Sequence, residues 1–157
     1  RAFAKAGKLE EAIAAYNKAL STLTKPQPDH FLERAALFVD ENGRPDARAL
    51  TGLDEGATQL GEHISLHERA LEIERSLNLH DEALQRIERV LRKHGRLIPW
   101  LITRAEVLDS GKRSPEAHDA WKQAETALKR IPARRQSTAA AREWRQRIDK
   151  GRQKAPR

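Results

Sequence analysis

The sequence predicts an all-α fold, and three observations carry that prediction. Ala, Leu, Glu, Lys and Arg fill more than half of the 157 residues, and these side chains lose little freedom in a helix. Val and Ile together number only 11, which leaves little material for a sheet. Apolar and small residues recur in four separate segments at the spacing of one helix face.

Those segments are 7–23, 43–60, 78–94 and 111–128. Each is anchored on an alanine: Ala12, Ala49, Ala83 and Ala117, at spacings of 37, 34 and 34 residues. One residue on stand Ile13, Leu50, Leu84 and His118. Four on stands a large group: Tyr16, Leu53, Ile87 and Trp121. Seven on stands a mostly small one: Ala19, Gly56, Val90 and Ala124. Small residues at a fixed offset suggest close approach of a neighbouring helix. A turn residue precedes each anchor: Gly7, Gly43, Asn78 and Gly111. Gly and Asn tolerate the left-handed conformation that ends a helix.

A second apolar-periodic stretch lies before each of the last three turns, at Phe31–Val39, Ile64–Leu77 and Trp100–Leu108. The unit is therefore helix, turn, helix. Ser114-Pro115-Glu116 offers an N-cap, a first-turn proline and an acid at the positive end of the dipole. Pro45-Asp46 and Asp81-Glu82 do similar work, and Gly61 and Gly95 follow helices as C-caps. Arg1 to Ala6 reads as the last turn of a first helix whose start is missing. Gln136 to Lys150 reads as a further helix with Ala140, Trp144 and Ile148 on one face.

The pattern resembles the tetratricopeptide repeat, a helix–turn–helix unit of about 34 residues. Gly7-Lys-Leu-Glu-Glu-Ala12-Ile-Ala-Ala-Tyr16-Asn-Lys-Ala19-Leu20 is the copy most similar to that pattern, and the resemblance extends to about Ile131. The small residue expected inside each first helix is met loosely by Ala36 and Ala105 and replaced by Leu71, and the closing prolines are displaced to Pro26, Pro99 and Pro132. A single helical pair cannot bury its apolar face, so such pairs stack. The resemblance implies a right-handed α-α superhelix of about 3.5 helical hairpins plus a C-terminal helix: an array over 1–131, a capping helix over 132–150 and a basic tail over 151–157. The core is expected to hold Ile13, Tyr16, Leu20, Leu53, Leu84, Ile87, Leu91 and Trp121. The pentatricopeptide array, which reads single-stranded RNA one base per repeat, fits less well. Basic residues cluster at one end rather than along every first helix.

The resemblance also implies a function. In that family the first helices line a groove that holds a peptide or helix of another protein. The corresponding candidates are Leu32, Ala36 and Val39, then Glu68, Glu72 and Arg75, then Leu101, Ala105 and Leu108. The carboxylate clamp of Lys, Asn and Arg known in the family is not expected, because Glu68 and Glu72 occupy groove positions. Self-assembly is the alternative. An incomplete first hairpin would expose an edge at Phe3, Ile13 and Tyr16, and the face of Ala140, Trp144 and Ile148 on another copy would cover it. Such a heterologous contact gives rings or filaments. The charge split suits it: residues 1–80 carry −3 and residues 81–157 carry +10.

A third reading is nucleic-acid binding by the basic end. Arg130, Arg134, Arg135, Arg142, Arg145 and Arg147 lie close in sequence with Trp144 among them, and arginine with an aromatic suits phosphate and base stacking. The same segment also reads as a basic amphipathic cap.

Catalytic signatures are not found. Cysteine is absent, which excludes disulfides, thiolate metal sites and thiol nucleophiles. His63 and His67 have metal-ligand spacing, but Ile64 stands where the zinc-protease pattern requires Glu. No glycine-rich phosphate loop or nucleophile elbow occurs. Asp40-Glu41-Asn42-Gly43 reads as a turn rather than a calcium loop. Neither enzyme activity, cofactor, metal nor small-molecule substrate is expected; the expected partner is a protein, either another chain or a second copy. No stretch is apolar enough to span a membrane. The absence of methionine, including an initiator, suggests processing or a fragment. The lack of cysteine is compatible with export, and the Ala- and Arg-rich composition hints at a bacterial source.

Overall fold

A computed structural model describes residues 2–40 and 42–154, with side chains described over 7–40 and 42–153. Among the described residues the fold is all-α. The sole extended pairing among them is an isolated bridge between Val39 and Pro45. The chain divides into two compact units, Arg1–Leu77 and Asn78–Arg157.

The first unit contains α1 (Ala2–Thr22), α2 (Pro28–Ala36), α3 (Arg48–Gln59) and α4 (Ile64–Ser76). Helices α2 and α3 pack on one another, α4 packs on both, and α1 packs on α2. Phe31, Ala35 and Phe38 meet Ala49, Leu53 and Ala57 from α3 and Leu66, Ala70 and Ile73 from α4, with Ile13 added from α1. Two glycines permit the close approach of α2 and α3. A Cβ at Gly56 would enter the Phe31 ring, and one at Gly52 would enter the Arg34 guanidinium.

The second unit contains α5 (His80–His94), α6 (Ile98–Ser110), α7 (Ser114–Lys129), α8 (Ala133–Gln136) and α9 (Ala139–Lys154). Helices α6 and α7 form a hairpin, α9 packs on both, and α5 packs on α6. The core joins Leu101, Ile102, Ala105 and Leu108 to Ala117, Trp121, Ala124 and Leu128, closed by Ala141 and Ile148 of α9. The Trp121 ring lies against Gly151, where any Cβ would strike it. Its indole N–H donates to Asp109 Oδ2 at 2.8 Å. A buried indole is normally satisfied in this way.

Burial refines the repeat. The anchors Ala49, Ala83 and Ala117 are buried, as are Leu53, Ile87 and Trp121 four residues on and Gly56, Val90 and Ala124 seven on. The first helices carry a second series that the sequence reading placed correctly only on α6. Phe31, Leu66 and Leu101 are buried, then Ala35, Ala70 and Ala105, then Phe38, Ile73 and Leu108. The small position is thus Ala35 and Ala70, whereas Ala36 is exposed. Tyr16, Leu20, Leu84 and Leu91 are half-buried rather than central. His118 is exposed, because its offset lies on the rim of the apolar face.

Several expected boundaries differ. Gly7 makes no turn, since α1 runs unbroken through it. Helix α2 ends at Ala36, and Val39 lies in the bridged loop, where Asp40 Oδ1 accepts from the N–H groups of Asn42 and Arg44 at 2.8 Å each. Asp46 starts α3 by accepting the Arg48 N–H at 2.8 Å. That bond is the main reason its carboxyl lies below the usual carboxylate range, despite partial burial. Ser114 is already helical; Arg113 takes the N-cap position and pairs with Glu116 instead. Gly61 and Gly95 do take left-handed φ values of 68° and 83° after α3 and α5. At the fourth turn Lys112, not Gly111, is left-handed, with φ 58°. The last helix extends to Lys154 rather than 150.

Candidate binding groove

Helix α5 builds one wall. Its anchor face (Ala83, Ile87, Val90) is buried, and Leu84 and Leu91 are half-buried against the core of the second unit. The opposite side carries Asp81, Gln85, Glu88 and Arg92, at helical spacing along one stripe. Helix α7 builds the other wall with Glu116, Asp119 and Gln123, and α6 contributes Arg104 and Leu108 below. Between them lies an open groove of about 1000 Å³ with Leu84, Leu108 and Ala120 on its floor.

Arg104 braces the groove from beneath. It holds Glu88 on α5 at 2.8 Å and donates to Gln123 on α7 at 3.1 Å, so one side chain ties three helices. Arg113 joins two helices at one end, pairing with Asp81 of α5 at 3.2 Å and with Glu116 of α7. The Glu116 hydrogen bond is the main reason the Arg113 guanidinium titrates even higher than usual. Exposed pairs of this kind add little to stability, because solvent screens them. Their larger consequence is geometric, because they fix the wall side chains before any ligand arrives.

A second hollow of about 350 Å³ shares Asp119 and Gln123 with the first and is lined further by Arg96, Leu101, Lys122, Thr126 and Arg130. The groove therefore continues along α7 toward its C-terminal end. Cations are favoured there by the helix dipole.

The residues singled out in the sequence fall on several different surfaces. Leu32 is half-buried, Ala36 exposed, and Val39 38% exposed in the loop after α2. Glu68, Glu72 and Arg75 lie on the exposed side of α4, with Glu72 paired to Arg69 at 3.0 Å. Leu101, Ala105 and Leu108 are buried; Leu101 and Leu108 touch the groove from below, and Ala105 is wholly in the core. These three sets sit on different faces because they were taken at three different offsets from the Phe31, Leu66 and Leu101 series.

Of the end-to-end set, Phe3 lies outside the residues with described side chains. Ile13 and Ile148 are core residues, which leaves neither as an open edge. Tyr16 is half-buried and donates to Glu33 at 2.9 Å. That bond, first among the causes, raises its phenol above the ordinary value. Ala140 is exposed, and Ala141 takes the buried position on α9. Trp144 is half-buried against the core, so its ring is not free to stack on bases. Arg134, Arg135, Arg142 and Arg145 are exposed, but Arg147 is bound to Glu106 at 2.9 Å.

The two histidines with ligand spacing part company. His63 meets Ser65 at 2.9 Å, while His67 is fully buried against Glu62 at 2.9 Å. No group of three His, Cys, Asp or Glu that could hold a metal occurs among the described residues. No helix among them is long and apolar enough to cross a membrane.

Sequence reasoning missed Gln85, Glu88, Arg92, Arg104 and Gln123. The polar stripe opposite the anchors of α5 and α7 was the available signal. The family resemblance directed attention to the first helices, whereas this groove has its walls on the second ones. Comparison of the chain with protein-family models, with curated proteins and with solved structures returned no match, so the likeness to tetratricopeptide repeats rests on the residues quoted for it.

Proposed function

We propose that this chain is a non-enzymatic interaction protein that binds a segment of a partner protein in the α5–α6–α7 groove. The observation that carries the reading is the groove itself: open, about 1000 Å³, and braced across its width by Arg104. Its volume is at the upper end for small-molecule sites. Its lining is not of that kind, since charged and amide side chains from two helices outnumber the three apolar residues on the floor. A peptide backbone, with a donor and an acceptor at every residue, suits Gln85, Gln123 and the charged walls. A braced surface also loses little side-chain entropy on binding.

End-to-end assembly has weaker support, because Ile13 and Ile148 are already covered within their own units. Binding of nucleic acid by the C-terminal arginines has weaker support as well, since Trp144 packs inward and Arg147 is engaged.

Peptide display on the full chain tests the reading. Gln85→Trp with Gln123→Trp fills the groove by changing two exposed residues. Random peptides selected on the wild-type chain should lose binding by about tenfold or more, roughly 1.4 kcal/mol, on this filled variant. Selected peptides that bind both proteins equally would overturn the groove as the site.

A further inference from the structure

We infer that the partner segment is acidic at one end, and that this end docks among Arg92, Arg96, Lys122 and Arg130. The inference rests on the groove reading and specifies its ligand.

The two ends of the groove differ in how their charges are used. At the α7 N-terminal end and across the middle, Arg113 and Arg104 are bound to Asp81, Glu116 and Glu88. A ligand carboxylate there would have to displace an existing partner. At the other end, Arg92, Arg96, Lys122 and Arg130 have no ion-pair partner among the described residues. The hollow that Arg96, Lys122 and Arg130 line holds a single carboxylate, Asp119. Lys122 and Arg130 lie two turns apart on α7 with Thr126 between them, and Arg96 leaves the chain directly after the left-handed Gly95. Arg96, Lys122 and Arg130 line a hollow with a buried leucine, Leu101, beneath it, and Arg92 lines the adjoining groove.

The sign pattern also selects the class of anion. Toward the braced end a ligand meets Asp119, Glu116, Asp81 and Glu88 as well as arginines. A nucleic acid carries a phosphate at every nucleotide, and along that stretch Arg104 and Arg113 are already engaged by carboxylates, so its phosphates would gain little there. A peptide can confine its carboxylates to the cationic end and present neutral side chains and backbone to the rest.

Fluorescence anisotropy with the full chain at about 150 mM salt, where surface charges are screened beyond roughly 8 Å, tests this. The probes are a labelled peptide of about ten residues with glutamates over its first four positions, its lysine counterpart, and a single-stranded RNA of similar length. Two charge-matched variants separate site from net charge: Lys122→Glu with Arg130→Glu in the groove, and Arg142→Glu with Arg145→Glu on the exposed side of α9. The acidic peptide should bind and the lysine peptide should not. The groove variant should weaken acidic-peptide binding by about tenfold or more and the α9 variant by less than about twofold. Unchanged melting temperatures for both variants establish that the fold is kept; if the groove variant melts early, Lys122→Gln with Arg130→Gln replaces it.

Equal weakening by both variants would overturn the inference in favour of diffuse attraction. Tighter, groove-dependent binding of the RNA would overturn it in favour of nucleic acid. If the acidic peptide fails while display-selected neutral peptides still depend on Gln85 and Gln123, the acidic specificity falls and the groove reading stands.

Discussion

The two units use the same three-helix arrangement and differ in which helix carries the ring that packs on a glycine. In the first, α4 packs on the α2–α3 hairpin; in the second, α9 packs on the α6–α7 hairpin. The first unit puts its aromatic on the first helix, Phe31, and makes room with Gly56 on the second. At the repeat-equivalent positions the second unit has Leu101 and Ala124. The ring that meets a glycine stands instead on the second helix, as Trp121 where the first unit has Leu53, and the room comes from Gly151 on the third, while Trp100 of α6 is buried outside that core cluster. Interiors pack to nearly constant density, so enlarging one position requires a smaller residue opposite. The difference teaches that repeat identity resides in summed volume across facing positions, not in any single residue type.

The largest expected effect follows from removing the ring. Trp121→Ala should cost about 3–5 kcal/mol and Leu53→Ala about 2–5 kcal/mol in urea unfolding. A loss below about 1 kcal/mol at Trp121 would mean that it is not a core residue of the hairpin.

Adding a methyl opposite the ring comes next. Gly56→Ala and Gly151→Ala should each destabilise by about 1–3 kcal/mol through overpacking. Shrinking the ring should restore much of that: Phe31→Leu with Gly56→Ala makes the first unit resemble the second, and Trp121→Leu with Gly151→Ala does the converse. Coupling of about 0.5–3 kcal/mol in each double-mutant cycle is expected. Strict additivity would show that the glycines are not there for the rings.

A smaller effect concerns how the third helix is held in the second unit. The Lys129 hydrogen bond holds the Glu125 carboxylate below its ordinary value of 4.5 against the opposing effect of burial, and Arg152 from α9 lowers it further. A depressed folded value means the contribution is complete above the ordinary value and is lost as pH falls through the folded one. Acid below that ordinary value, as pH falls through the depressed folded one, should therefore loosen α9, by no more than about 1 kcal/mol for a largely exposed network. Glu125→Gln should flatten that part of the stability–pH curve. The smallest change belongs to Arg142→Glu with Arg145→Glu, within about 0.5 kcal/mol at neutral pH, because both side chains face solvent.

These differences also explain what the sequence made legible. The anchored helices were readable, because Ala, a large residue and a small residue at fixed offsets leave few other arrangements. The first helices were readable as elements, but only α6 in register. Ala35 and Ala36 are adjacent alanines, and Ala70 is followed by Leu71, so composition alone did not say which one faced inward. The same one-residue ambiguity put Ala140 in place of Ala141 on α9. The groove was the least legible part. Its walls are the polar sides of α5 and α7, and polarity marks solvent exposure whether or not a partner binds. Only the packing of α6 beneath them, with Arg104 reaching both walls, turns two ordinary polar stripes into one concave surface.

Amide hydrogen exchange of the full chain, with and without a display-selected peptide, tests the central claim most directly. The account expects added protection along α5 and α7, strongest near Lys122 and Arg130, and little change in the first unit. Protection confined to α9 or to the first unit, with α5 and α7 unchanged, would contradict it.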